Sequence, residues 1–134
     1  MATLNASTLN DVQYSGDCPL ANAHGVYTLA SAAISDKVRL VKLYAGTKIY
    51  NAKLVNAALG ASTTVSLGFE YVDGQAGGGA AVLLAAASTS AAGANNGAAA
   101  PVVLAYDAYV TATVGGGVAT GQIDAVITYE FKGL

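Results

Sequence analysis

The chain has 134 residues, a net charge of −2 and a charged fraction of only 10%, against about 25% in ordinary soluble domains. That length suits one domain with its own core, and the mild negative charge excludes a nucleic-acid or anionic-membrane partner held by bulk electrostatics. No apolar run nears the roughly 18 residues of a membrane-spanning helix.

Residues 1–25 are polar and broken by turn formers such as Asn5, Asn10, Gly16 and Pro19. They read as an extended N-terminal arm with no core of its own. Val12, Tyr14 and Leu20 are its candidate anchors on a surface, and removal of residues 1–20 is expected to leave the fold standing. Met1–Asn5 has no basic stretch followed by an apolar one, so no secretion signal is expected and synthesis is placed in the cytoplasm. The single Cys18 closes no internal disulfide.

Residues 26–134 read as a single β-domain. Gly25–Ala33 predicts a first strand. Lys37–Tyr44 predicts a stronger one, in which Val38 and Leu40 share one face while Val41 and Leu43 share the other. Such a switch of face means a bulge or burial on both sides. Ala45-Gly46-Thr47 turns the chain into a strand over Ile49–Ala58. Thr63–Val72 alternates cleanly: Val65, Leu67, Phe69 and Tyr71 face a core, while Thr64, Ser66, Gly68 and Glu70 face away. Asp73-Gly74 is a turn signal.

Residues 74–100 predict a long surface crossover, and alanine-rich Ala80–Ser88 has the propensity for a short helix within it. Val102–Tyr106 and Ala108–Val114 predict strands, one bent strand being the alternative. Gly115–Gly117 turns the chain into a last strand. There Ile123, Ala125, Ile127, Tyr129 and Phe131 alternate with polar neighbours, Val126 excepted, which predicts a half-buried strand. Six to eight short strands with glycine-rich turns give an all-β fold, an antiparallel β-sandwich or barrel.

The residues offer no chemistry. His24 is the lone histidine and reads as a loop residue. Cys18 and His24 together fall short of a tetrahedral metal site. Asp124 and Glu130 share a face but lie roughly 20 Å apart along a strand, too far for a glycosidase pair. Gly115–Gly121 lacks the Lys-Ser/Thr of a phosphate loop and leads into a strand, so it reads as a flexible hairpin turn. No catalytic, cofactor-binding or metal residue is assigned. Five of the six cations, Lys37, Arg39, Lys42, Lys48 and Lys53, fall in one window with Tyr44 and Tyr50. Three readings stand there: a nucleic-acid surface, which the acidic balance opposes; a protein contact; and plain solvated strands whose lysines block edge-to-edge aggregation. Val12, Tyr14 and these five cations are the candidate protein-contact residues. The low charge itself points to surface hidden against other chains.

Val41-Lys-Leu-Tyr-Ala-Gly-Thr-Lys-Ile49, then Gly60-Ala-Ser-Thr-Thr-Val-Ser-Leu-Gly68, Leu83-Leu-Ala-Ala-Ala87 and the glycine-rich Gly115–Glu130, resemble in order the small decoration, or cement, proteins of tailed bacteriophages. Tyr44 stands where that family's turn carries proline, and the likeness spans residues 37–132. The resemblance implies a β-sandwich or jelly roll that binds the outside of an expanded capsid and clamps neighbouring capsomers. Its implied partners are the major capsid protein and copies of itself, a trimer favoured over a dimer, with no nucleic acid, membrane or cofactor. The virion exterior is the implied location. A carbohydrate-binding tail or fibre domain is the alternative, with tyrosines stacking on sugars. Against it, Tyr71 and Tyr129 are predicted to point inward.

Overall fold

The computed structural model describes residues 1–10 and 20–131. They form ten strands: β1 (Thr3–Asn5), β2 (Leu20–Ala32), β3 (Lys37–Leu43), β4 (Thr47–Asn56), β5 (Thr64–Tyr71), β6 (Gly79–Ser88), β7 (Gly93–Asn96), β8 (Val102–Val103), β9 (Ala108–Gly115) and β10 (Ala119–Phe131). One sheet runs β1-β3-β9-β5-β6; the other runs β2-β10-β4-β7, with β8 also on β4. The expected β-sandwich is therefore present. Every pairing is antiparallel except β1 on β3, which is parallel.

The core lies between the sheets. Val65, Leu67, Phe69 and Tyr71 of β5 face Ile123, Ile127 and Tyr129 of β10 and Leu54 of β4, all buried. The alternation read in β5 and β10 holds to this point. Phe131 breaks it: the residue is 43% exposed at the last pair of the strand, opposite Thr47.

The face switch in β3 is a bulge. The register on β9 slips between Arg39 and Val41, and the extra residue lets Leu40 and Val41 both be buried. The bulge pushes Leu40 toward the other sheet. A Cβ on Gly25 of β2 would stand 2.8 Å from the Leu40 Cβ, so glycine is required at that crossing.

The N-terminal segment closes this side of the sandwich. Lys37 N–H donates to Ala2 O, Ala6 N–H to Arg39 O and Lys42 N–H to Leu9 O. The Thr8 hydroxyl donates to Leu40 O at 3.0 Å and accepts from Val26 N–H at 3.1 Å, linking the bulge to β2. Asp36 accepts from Ala2 N–H and Ala33 N–H, and these two donors hold its carboxyl below the ordinary value. Residues 1–10, expected as part of an arm, are thus held on the sandwich, and residues 11–19 of that arm lie outside the described residues. Residues 3–5 are a strand, and a boundary at 25/26 cuts through β2. The signal was faint because Leu20–Gly25 alternates alanine with Asn22 and His24, too small an apolar contrast to stand out.

Three further expectations change. Ala80–Ser88 is strand, not helix: alanine's helix propensity is a weak prior, and the open edge of β5 takes this segment as its partner. Val102–Tyr106 and Ala108–Val114 belong to different sheets, with Leu104 bonded through its backbone to Gly46 and Thr47 and β9 paired with β3 and β5. The chain crosses at Asp107, whose carboxylate accepts from Ala45 N–H. Gly115–Gly117 likewise carries the chain from one sheet to the other rather than closing a hairpin, since β9 and β10 do not pair.

Candidate contact surface

The sandwich splits the cationic window. Lys37, Arg39 and Lys42 lie on β3 in one sheet, Lys48 and Lys53 on β4 in the other. Most of these charges are already engaged. Lys37 Nζ donates to Glu70 Oε2 and Arg39 Nε to Glu70 Oε1, each at 2.7 Å, and the guanidinium lies 4.5 Å from the centre of the Tyr109 ring. Desolvation pushes the Glu70 carboxyl up, but the hydrogen bonds and charges of Lys37 and Arg39 outweigh it and hold the group below its ordinary value. The Lys42 ammonium sits 5.6 Å from the Tyr44 ring and Lys48 5.1 Å from Tyr50. Tyr50 donates its hydroxyl to Glu130 at 3.2 Å. Lys53 stands exposed opposite Val126 and Asn96. The five cations thus form no single patch. Val12 and Tyr14 lie outside the described residues.

His24 is on strand β2, not in a loop, with Nε2 3.0 Å from Asp124 Oδ2. Gln122 Nε2 donates to the other carboxylate oxygen at 2.8 Å. The imidazole side chain is 56% exposed, so the pair tethers β2 to β10 in water. Among the described residues no three His, Cys, Asp or Glu side chains are grouped to hold a metal. An open groove of about 350 Å³ lies between the Gly74–Ala80 loop and Lys37, Glu70 and Thr111. The two charges on its wall neutralise each other.

One surface escaped the sequence reading. From Gly74 to Tyr106 there is no Asp, Glu, Lys, Arg or His. The fold gathers that stretch on one side of the sandwich, as β6 at the edge of one sheet and β7 and β8 at the edge of the other. Val82 and Val103 are exposed there. The run of uncharged residues was visible in the sequence; what hid its meaning was reading it as a loop.

No protein-family model matches the chain, and no curated protein matches it in sequence. Solved structures do match. A chain of the capsid of Ralstonia phage GP4 is 18% identical with a TM-score of 0.78, over 98% of this chain and 99% of that one. A chain of the Cyanophage Pam1 capsid asymmetric unit is 15% identical with a TM-score of 0.66, over 90% and 92%. A chain of the acidic stable capsid of Helicobacter pylori bacteriophage KHP30 is 16% identical with a TM-score of 0.64, over 87% and 90%. The fold is shared with chains of phage capsids. At these identities the likeness is one of fold.

Proposed function

We propose that the chain is a structural virion protein that binds the outer surface of an expanded phage capsid and clamps neighbouring capsomers, with no catalytic role. The observation that carries this reading is the end-to-end fold match to the GP4 capsid chain, 98% of one against 99% of the other. The match takes in nearly the whole of both chains. The charged fraction of 10% fits a part with much of its surface in contacts.

The partners are the major capsid protein and further copies of this chain. A protein that binds the closed, expanded shell better than its separated parts stabilises the shell by mass action. A copy that touches two capsomers makes its second contact intramolecularly, so modest footprints suffice. Tyr71 and Tyr129, buried at 8% and 3% exposure, point inward as expected and offer the fibre alternative no stacking surface, while Tyr44 and Tyr106 are exposed.

Purified protein is expected to add back to undecorated, expanded capsids until it saturates at a fixed ratio to the major capsid protein, and decorated shells should survive heat better than bare ones. Copurification with tails or fibres, with capsids left unoccupied, overturns the reading.

A further inference from the structure

Asn96–Gly97 is the sole Asn-Gly sequence in the chain. An asparagine amide is open to attack by the backbone nitrogen of the next residue. Glycine has no side chain to shield that nitrogen and is the most reactive neighbour. Packing leaves this position little choice. A Cβ on Gly97 would stand 2.2 Å from Leu83 O and 3.2 Å from Ala52 O, both backbone atoms. Only glycine lets the chain leave β7 so close to β6 and β4. The fold thus demands the residue that makes Asn96 labile.

The same packing disarms the pair. Asn96 ends β7 opposite Lys53 of β4, and Gly97 N–H donates to Ala52 O at 2.7 Å. That bond holds the proton which the nitrogen must lose in order to attack. The extended backbone adds a geometric bar. Ring closure needs Asn96 Cβ and Gly97 N eclipsed about the Asn96 Cα–C bond, and ordinary strand dihedrals hold them roughly a quarter turn apart. Attack needs aligned atoms at about 3–3.5 Å, which a docked strand does not offer. The guard is local, because β7 has four residues and lies at a sheet edge, and such short elements open more readily than a core strand.

We propose that Asn96 is a site of spontaneous deamidation, closed while β7 is docked on β4 and open when β7 lifts away. Gly97 N passes its proton to solvent and bonds to Asn96 Cγ. The bond from Cγ to the side-chain nitrogen breaks, and ammonia leaves a succinimide ring. Water then opens the ring at either carbonyl, giving aspartate or isoaspartate. The two products differ in what they do to the sheet. Aspartate keeps the backbone and sets a carboxylate opposite Lys53, which among the described residues takes part in no ion pair. Opposite charges facing across a strand pair favour docking. Isoaspartate adds a methylene to the backbone and takes β7 out of register with β4. An opening that reacts is therefore recorded permanently. The site belongs to the chain alone and does not rest on the capsid reading.

The test incubates the full chain at mildly alkaline pH, folded in buffer and unfolded in guanidinium chloride, and reads conversion at each asparagine by peptide mass spectrometry. In denaturant, Asn96 is expected to convert faster than every other asparagine. In the folded chain its conversion should be slower by about tenfold or more. This comparison uses the wild-type chain and needs no variant to fold. Gly97→Ala, measured in denaturant where packing is immaterial, should lose most of the lability. The bond from Gly97 to Ala52 makes Asn95 and Leu54 the next hydrogen-bonded pair of the ladder, since such pairs alternate. Asn95→Pro therefore removes a donor that docks β7. With its sheet confirmed by circular dichroism, that variant should convert several times faster than folded wild type, each set against its own rate in denaturant. Equal rates for the folded and unfolded wild type overturn the proposal. So does another asparagine that leads in denaturant, or a folded Asn95→Pro variant as protected as wild type.

Discussion

β5 and β6 are hydrogen-bonded neighbours in one sheet, yet they announce themselves in opposite ways. β5 alternates Val65, Leu67, Phe69 and Tyr71 with Thr64, Ser66, Gly68 and Glu70, and its core face is buried. β6 reads Gly-Ala-Ala-Val-Leu-Leu-Ala-Ala-Ala-Ser and buries only Leu83 and Leu84. β5 is paired on both sides, by β9 and β6, whereas among the described residues β6 is paired only by β5. A strand between two others must mark its core face with large apolar side chains, and β5 keeps small residues, Ser66 and Gly68, where the start of β6 covers its other face. An edge strand that leans on its neighbour takes its conformation from that neighbour, and its sequence is free of the contrast. The comparison makes β5 the energetic centre of the pair and β6 its dependant.

The strongest test removes the more deeply buried of the two aromatic side chains of β5. Phe69 is 3% exposed and meets Tyr71 edge-to-face at 5.4 Å between ring centres. Phe69→Ala is expected to cost about 3–5 kcal/mol in urea unfolding. That is a large share of the roughly 5–15 kcal/mol typical of whole domains. A cost near zero would move the core away from β5.

The next test strikes the contact between the two strands. The start of β6 folds against the outer face of β5, where Ser66 donates its hydroxyl to Ala80 O at 2.9 Å. A Cβ on Gly68 would stand 1.9 Å from Gly79 O, a backbone atom that yields only if β6 moves. Gly68→Ala is expected to cost about 1–3 kcal/mol and to raise amide exchange in Gly79–Leu83 while β9 and β10 stay protected. Uniform loss of protection would mean that β6 is not a separable dependant.

These two strands also mark how far the sequence reaches. The sandwich, its core face on β5 and β10, and the β3 bulge were legible because large apolar residues keep or break a period of two there. β6 and the first half of β2 were not, because alanine and glycine carry almost no contrast between faces. Sheet membership was invisible for the same stretch of chain in another way: nothing in Gly115–Gly117 or Asp107 tells a hairpin from a crossing between sheets. The cationic residues were legible individually. Their division between two sheets, and the ties of Lys37 and Arg39 to Glu70, depend on that unseen topology.

Charge supplies a smaller contrast. Glu70 gives β5 an ionised outer face, held by Lys37 and Arg39, while β6 has none. Because the Glu70 carboxyl is held below its ordinary value of 4.5 when folded, its contribution is present above that value. It is lost as pH falls through the folded value. Glu70→Gln should therefore cost about 0.2–1 kcal/mol at neutral pH, since the pair is partly solvated. The gap between wild type and variant should close in acid. A gap that widens in acid would reverse the sign of the argument.

The smallest expected effect settles what β6 is. Ala85 is exposed on that strand, so a substitution there reports backbone preference rather than packing. In a helix, alanine is the most favourable residue, and threonine costs up to about 0.7 kcal/mol. On a pleated edge the preference reverses, because a β-branched side chain suits an extended backbone. Ala85→Thr is therefore expected to leave stability within about 0.5 kcal/mol of wild type, with any change in the stabilising direction. A clear loss of stability would restore the helix that the alanine composition first suggests. Unchanged or raised stability shows an alanine run held as strand by its neighbour.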